Sequence, residues 1–74
     1  MKYDLSEIFL QMGMEVELKE TTEITELGID SVQLLELVVR IEEQFDISID
    51  DNDLVGQNFE TIGTIINMLD KYLQ

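Results

Sequence analysis

The 74-residue sequence contains no cysteine and no histidine. Without cysteine, the chain can form no disulfide, no thiolate nucleophile and no cysteine-based metal site. Without histidine, it lacks the usual imidazole base, the Ser-His-Asp triad and the commonest zinc ligand. The lysines Lys2, Lys19 and Lys71 do not lie in a pattern that would activate a serine as a nucleophile. We therefore expect a chain that is not an enzyme.

Basic residues are also scarce, because four Lys and Arg stand against 17 Asp and Glu for a formal net charge of −13. This charge opposes binding to nucleic acid and to anionic membranes, which depends on Lys and Arg. It favours encounters with basic patches on other proteins, an attraction that salt weakens. Like charge also favours a monomer at low salt. We expect basic protein partners, no nucleic acid and no membrane.

The sequence has no proline-marked linker and no apolar run of the length, about 18 residues, that a membrane helix requires. Its first residues, Met-Lys-Tyr-Asp, lack the apolar stretch of a signal peptide. The length suits one small domain. We expect a single domain over residues 1–74 and a cytoplasmic location.

Apolar residues recur at helical spacing in three stretches, and no strict alternation is long enough to predict a sheet. Helices are predicted at about residues 4–13, 31–45 and 61–73, and a short helical turn at residues 50–55 ends near Gly56. In the first helix, Asp4 or Ser6 is the candidate cap and Gly13 the stop. Thr61 is the predicted cap of the last helix. The fold class is all-α, a small bundle of three main helices with a short additional one.

Residues 14–29 are rich in Glu and Thr and do not follow one helical period. We predict a long loop, held to the core by Val16, Leu18, Ile24 and Leu27. A loop of this length is uncommon unless it has a function or a short turn of its own.

Ser31 stands at the start of the second predicted helix, directly after Asp30. Serine is a strong N-cap residue, so capping alone would explain it. Asp30 suits the same role, and Gln33 then falls three residues later, where its side chain can complete a capping box. In that case Ser31 is exposed on the first turn, among unpaired N–H groups at the positive end of the helix dipole. Such a hydroxyl is a suitable attachment point for a phosphate-containing group.

The sequence resembles the acyl carrier protein family in three stretches: Leu27-Gly28-Ile29-Asp30-Ser31-Val32, Leu34-Leu35-Glu36-Leu37 and Ile41-Glu42-Glu43-Gln44-Phe45. The similarity runs from about Thr25 to Leu69. It implies a small acidic four-helix bundle whose serine, Ser31, carries 4′-phosphopantetheine from coenzyme A. It also implies a phosphopantetheinyl transferase as a partner, with Asp30 helping to hold the magnesium-bound transfer complex, and an acyl group carried on the arm as a thioester.

The second helix carries a second apolar stripe, Val32, Leu35 and Val39, outside its core stripe. This stripe is predicted to meet partner enzymes, such as acyl- or aminoacyl-loading enzymes and ketosynthases, or a folded-back acyl chain. Glu36, Glu42 and Glu43 would supply charges to the basic patches of those partners. The alternatives are an ordinary core position for Val32 and Val39 and a solvated helix face for the carboxylates.

Three residues depart from the pattern of many fatty-acid carriers: Val32 replaces leucine, Gln33 replaces an acid, and Arg40 adds a positive charge. The first helix and its loop are also short. These departures favour a discrete carrier of a polyketide or mixed polyketide-peptide pathway. A fatty-acid carrier and an aminoacyl or peptidyl carrier remain alternatives.

Two interpretations lie outside this family. Asp50-Asp51-Asn52-Asp53 suggests a calcium loop, but counting from Asp51 places Val55 and Ile62 where the EF-hand pattern needs an oxygen ligand and an acid. No specific metal site is expected. The other reading is an unmodified acidic adaptor that binds a partner through the second helix.

Overall fold

The computed structural model describes residues 3–73. It contains three α-helices, α1 (Ser6–Gln11), α2 (Ser31–Phe45) and α3 (Ile62–Leu73). Three short 3-10 helices connect them, at Ile24–Leu27, Asp51–Asp53 and Gly56–Phe59. The described residues form no strand, only an isolated antiparallel bridge between Glu23 and Thr61. The predicted all-α fold is confirmed.

A single hydrophobic cluster joins the three α-helices. Its buried members come from all of them and from the connecting segments, and they are Leu5, Ile8, Phe9, Ile24, Leu37, Val38, Ile41, Ile49, Phe59, Ile62, Ile65, Ile66, Met68 and Leu69. From α2 it contains Leu37, Val38 and Ile41, which recur at helical spacing. Leu34 and Phe45 of α2 pack against it from partly exposed positions.

Helix α1 is shorter than the predicted span of residues 4–13. The N-cap position is Leu5, whose side chain makes no capping hydrogen bond, so neither Asp4 nor Ser6 is the predicted N-cap. Asp4 lies just before the helix, where its Oδ1 accepts hydrogen bonds from the Ser6 hydroxyl at 2.6 Å and the Ser6 N–H at 2.9 Å. These hydrogen bonds hold the pKa of Asp4 below its ordinary value. Gly13 has φ +80°, a conformation that favours glycine, and the chain turns away there as predicted.

The long loop is attached to α3 by backbone hydrogen bonds. Ile24 is buried and begins a 3-10 turn within the loop, while Val16, Leu18 and Leu27 pack against the core from partly exposed positions, as predicted. The N–H groups of Ile62 and Gly63 donate to carbonyl oxygens of the loop, those of Thr22 (3.0 Å) and Glu20 (2.9 Å). Loop carbonyls therefore satisfy N–H groups that the first turn of α3 cannot satisfy itself.

The segment between α2 and α3 differs in detail from the prediction. One turn was expected at residues 50–55, ending near Gly56, but Gly56 begins a second 3-10 helix that ends at Phe59. Asp50 Oδ1 accepts the Asn52 N–H at 2.8 Å and starts the first turn. The second turn brings Phe59 into the core, a tertiary contact that local spacing does not indicate.

Helix α3 begins where the sequence predicts. The Thr61 hydroxyl oxygen accepts the Thr64 N–H at 3.1 Å, and the Thr64 hydroxyl oxygen accepts the Thr61 N–H at 3.0 Å. This reciprocal pair confirms Thr61 as the cap. At the other end of the helix, Tyr3 donates a hydrogen bond to Asp70 Oδ1 at 2.9 Å and so ties the start of the described chain to α3.

Candidate functional site at the start of helix α2

The capping box predicted at the start of α2 is present. Asp30 has extended backbone geometry, and its Oδ1 accepts the Gln33 N–H at 2.8 Å. The Gln33 side chain in turn accepts the Asp30 N–H at 3.3 Å. Asp30 is therefore the N-cap, and Ser31 is the first residue of the helix.

Ser31 is exposed, and its hydroxyl makes no hydrogen bond within residues 3–73. Its own N–H and that of Val32 likewise find no acceptor in this part of the chain. Gly28 turns the preceding chain with φ +72°, and a side chain at this position would meet nothing within 4 Å. The hydroxyl therefore stands in open space at the positive end of α2.

Ser31 also lines an open groove of about 920 Å³. The groove is lined by residues 23–25, by residues 56, 57 and 59–61, and by the start of α2 with the residues before it. Glu23, Asp30 and Glu60 contribute carboxylates to the lining, which contains no Lys or Arg.

The second apolar stripe of α2 is exposed. Val32 is 74% exposed, Leu35 68% and Val39 49%, so none of them belongs to the core. Leu35 follows Ser31 by one helical turn and therefore lies on the same face of α2. A small apolar pocket of about 150 Å³ lies on this side of α2. It is lined from α2 by Leu34, Leu35 and Val38 and from the following segment by Leu54, Val55, Gly56 and Phe59.

The acidic residues of α2 differ in their surroundings. Glu43 is exposed. Glu36 forms an ion pair with Arg40 at 3.1 Å, and Arg40 also donates to Gln11 Oε1 at 3.2 Å, linking α2 to α1. Glu42 is half-buried, and its carboxylate accepts the Ile49 N–H at 2.8 Å. The sequence does not indicate this last contact, which joins α2 to the segment that follows it.

A polar cluster that we did not predict lies at the carboxyl end of α3. Lys71 Nζ lies 2.8 Å from Asp53 Oδ1, and the Tyr72 hydroxyl donates to Asp53 Oδ2. The contact with Lys71, and to a smaller extent that with Tyr72, holds the pKa of Asp53 below its ordinary value of 3.8. The same contacts raise the pKa values of Lys71 and Tyr72. Nothing in the local sequence pairs residues 18 positions apart, so only the fold reveals this cluster.

The residues at the start of α2 fit a phosphate-linked cofactor attached through oxygen. Of the three serines, Ser6 binds Asp4 through its hydroxyl, and Ser48 is exposed but lies outside the groove. Only Ser31 combines an exposed hydroxyl with the groove and with a helix dipole that favours negative charge. Residues 3–73 contain no group of acidic or metal-binding side chains arranged to hold a metal ion. None of their helices has the length and apolar character needed to cross a bilayer.

Comparison with known proteins agrees with this geometry. The sequence model of the phosphopantetheine attachment site matches residues 5–69. The chain belongs to the acyl carrier protein family. Members of this family carry 4′-phosphopantetheine covalently, and this is the cofactor of the chain.

Two curated acyl carrier proteins are similar in sequence. The protein of Clostridium perfringens strain 13 is 33% identical over 55 residues, which cover 74% of this chain and 70% of that protein. The protein of Exiguobacterium sibiricum is 34% identical over 59 residues, covering 70% and 72%.

Solved carrier structures share the fold. One is a chain in the crystal structure of Bradyrhizobium japonicum glycine:[carrier protein] ligase complexed with its cognate carrier protein and an analogue of glycyl adenylate. It superposes with a TM-score of 0.76 at 19% identity and covers 90% of this chain and 87% of its own. A second structure of that ligase, complexed with glycylated carrier protein, gives a TM-score of 0.72 at 20% identity, with 86% of each chain covered.

Proposed function

We propose that this acyl carrier protein tethers acyl intermediates as thioesters on a 4′-phosphopantetheine arm attached to Ser31. The observation that carries the proposal is the exposed, unbonded Ser31 hydroxyl at the first residue of α2. Because Asp30 caps the helix, the fold does not need that hydroxyl. The bound arm supplies a terminal thiol, a group that the chain itself lacks.

In the attachment reaction, the Ser31 oxygen attacks the phosphorus of coenzyme A that bears the pantetheine. The new oxygen–phosphorus bond replaces the bond to 3′,5′-ADP, which leaves with the bridging oxygen, and the hydroxyl proton is released. Asp30 uses Oδ1 for the cap, while its Oδ2 accepts no hydrogen bond within the described residues. The Asp30 carboxylate would help to hold the magnesium ion of the transfer complex.

For delivery, the exposed apolar stripe of Val32, Leu35 and Val39 is the proposed contact with the transferase, loading enzymes and ketosynthase-type partners. Glu36 and Glu43 lie on the exposed surface of the same helix and would attract basic patches. Glu42 and Glu36 are weaker candidates than Glu43, because the Glu42 carboxylate is engaged by the Ile49 N–H and that of Glu36 by Arg40.

For cargo, we propose an acyl intermediate of a polyketide or mixed polyketide-peptide pathway, on the strength of the departures at Val32, Gln33 and Arg40. An aminoacyl group is the second candidate, prompted by the fold likeness to a glycylated carrier. The groove carboxylates favour it, because they would attract an α-ammonium and repel a malonyl carboxylate. The protein with glycine loaded on the arm should then melt at a higher temperature than the protein loaded with malonate. A higher melting temperature for the malonate-loaded protein would remove the aminoacyl candidate.

The proposal treats residues 1–74 as one non-catalytic carrier domain acting in the cytoplasm. Partner enzymes perform the chemistry on the cargo. The competing account is an acidic adaptor that binds the same partners without modification.

The test is the intact mass of the protein after incubation with coenzyme A, magnesium and a broad-specificity phosphopantetheinyl transferase. The parent and the matched control Ser48→Ala should each gain one arm, and Ser31→Ala none. No gain in the parent, under conditions that load a known carrier, would favour the adaptor.

A further inference from the structure

The segment between the end of α2 and α3 covers the small apolar pocket with few buried contacts of its own. We call residues 50–58 the lid segment. It lies between two buried anchors, Ile49 and Phe59, but none of its own residues is buried. Its apolar side chains, Leu54 and Val55, are 41% and 44% exposed. Burial therefore contributes little to holding the lid segment in place.

Polar contacts to the end of α3 hold the lid segment instead. Tyr72 stands at the centre, because its hydroxyl oxygen accepts the Asp50 N–H at 2.9 Å while its proton is donated to Asp53. Lys71 pairs with the other oxygen of the Asp53 carboxylate at 2.8 Å. Within the lid segment, the Asp53 carbonyl oxygen accepts the Asn58 side-chain amide at 2.7 Å. Asp53 thus connects both halves of the segment to the end of α3, and the Thr64 hydroxyl at the start of α3 also donates to the Asn58 carbonyl oxygen at 3.2 Å.

The pocket beneath the lid segment lies close to the proposed attachment point. Leu34, Leu35 and Val38 line it from α2, at three, four and seven positions after Ser31, so they continue the helix face on which Ser31 stands. The first of them is about one turn, roughly 5 Å, from Ser31 along the axis. Leu34, Gly56 and Phe59 also line the groove that contains Ser31, so the pocket and the groove adjoin at these three residues.

The pocket is small in this arrangement. Its volume of about 150 Å³ corresponds to about five water-sized groups at roughly 30 Å³ each. Leu54, Val55 and Gly56 form the wall on the side of the lid segment, so movement of that segment away from α2 would enlarge the pocket.

We propose that Asp53, Lys71 and Tyr72 form a latch that holds the lid segment over this pocket and thereby restricts the pocket to short apolar groups. What the latch implies for the cargo rests on the proposed attachment at Ser31. The restriction of the pocket itself concerns the unmodified protein and can be tested in that protein.

The first test measures lid opening in the unmodified protein by amide hydrogen exchange. The Asp53 and Leu54 N–H groups bond to the carbonyl oxygens of Asp50 and Asp51 and report on the lid segment directly. Asp53→Asn and Tyr72→Phe should each speed their exchange on the order of threefold, the usual effect of losing an exposed ion pair or one hydrogen bond. Asp51→Asn is the matched control, because it removes a neighbouring charge whose side chain makes no contact within residues 3–73.

The second test measures the size limit with straight-chain alcohols as probes, followed by NMR shifts of the Leu34, Leu35 and Val38 methyl groups. In an unrestricted apolar site, octanol would bind over a hundredfold more tightly than butanol, because each added methylene contributes about fourfold. In the parent, the affinities for octanol and butanol should differ by much less than this factor. Asp53→Asn and Tyr72→Phe should bind octanol about threefold more tightly than the parent, with butanol unchanged.

Unchanged exchange and unchanged octanol binding in both latch variants would overturn the proposal. An equal effect of Asp51→Asn would also overturn it, because the cause would then be general charge. Neither assay needs the arm, so a failure of Ser31 to be loaded would count against the proposed function and leave the latch result standing.

Discussion

Replacing Gly63 with alanine tests whether the long loop must approach α3 as closely as the structure shows. A methyl group at this position would lie 2.9 Å from the backbone carbonyl oxygen of Glu20, a distance that real contacts of this type essentially never show. The same oxygen accepts the Gly63 N–H at 2.9 Å. Relief of the clash must therefore displace the loop backbone and weaken this hydrogen bond.

The sign of the effect depends on two opposing contributions. Helix propensity alone would make alanine more stable than glycine by about 1 kcal/mol. Against this, a forced shift of packed structure costs about 1–3 kcal/mol, and a weakened hydrogen bond costs about 0.5–1.5 kcal/mol. We expect net destabilisation of about 1–3 kcal/mol, which lowers the melting temperature of a domain of this size by on the order of 10 °C.

The assay is thermal unfolding followed by circular dichroism, with Gly56→Ala as the matched control. The control makes the same chemical change where a methyl group meets nothing within 4 Å, so its melting temperature should change little. A Gly63→Ala variant as stable as the parent, or more stable, would refute the reasoning and show that helix propensity dominates.

Three further outcomes are expected. Asp30→Asn should keep a good N-cap and the stability of the parent, but it should be loaded more slowly by the transferase. Asp30→Ala should be loaded slowly and also lose about 1 kcal/mol of stability. Equal loading rates in Asp30→Asn and the parent would remove the proposed role of the Asp30 charge. Because the pKa of Asp53 is lowered, its contribution to stability is present above the ordinary value of 3.8 and is lost as the pH falls through the lower folded value. Denaturant titrations of the parent and Asp53→Asn should therefore differ at pH 7 and converge in acid, and a difference that does not narrow as the pH falls below 3.8 would contradict this. Millimolar magnesium or added salt should raise the melting temperature, because the charge of −13 makes the folded state repel itself; an unchanged melting curve would count against that cause.

The features that the sequence predicted well depend on neighbours in the chain. Helix α2 carries a cap, a capping box and a core stripe within 16 residues, and its observed limits agree with the prediction. The exposed stripe of Val32, Leu35 and Val39 follows from the same periodicity, since one helix cannot turn so wide an apolar arc towards a single core. The position of Ser31 followed from recognising Asp30 as the better cap.

The features that the sequence did not reveal depend on contacts between distant residues. The close approach to Gly63 is one of them, because the carbonyl that meets it belongs to Glu20, 43 positions earlier in the chain. The contact of Glu42 with Ile49 and the cluster around Asp53 are likewise made by the fold. The second 3-10 turn has a similar cause, since burial of Phe59, not a local signal, determines where the chain bends.

The most direct test of the central claim is to locate the arm on the protein. Trypsin, which cleaves after Lys and Arg, separates the three serines, because cuts at Lys19 and Arg40 leave Ser31 as the only serine of the peptide spanning residues 20–40. After treatment with coenzyme A, magnesium and the transferase, fragment mass spectrometry should place one phosphopantetheine on Ser31 of this peptide. An arm on another residue, such as Ser48 in the following peptide, or no arm at all, would contradict the account.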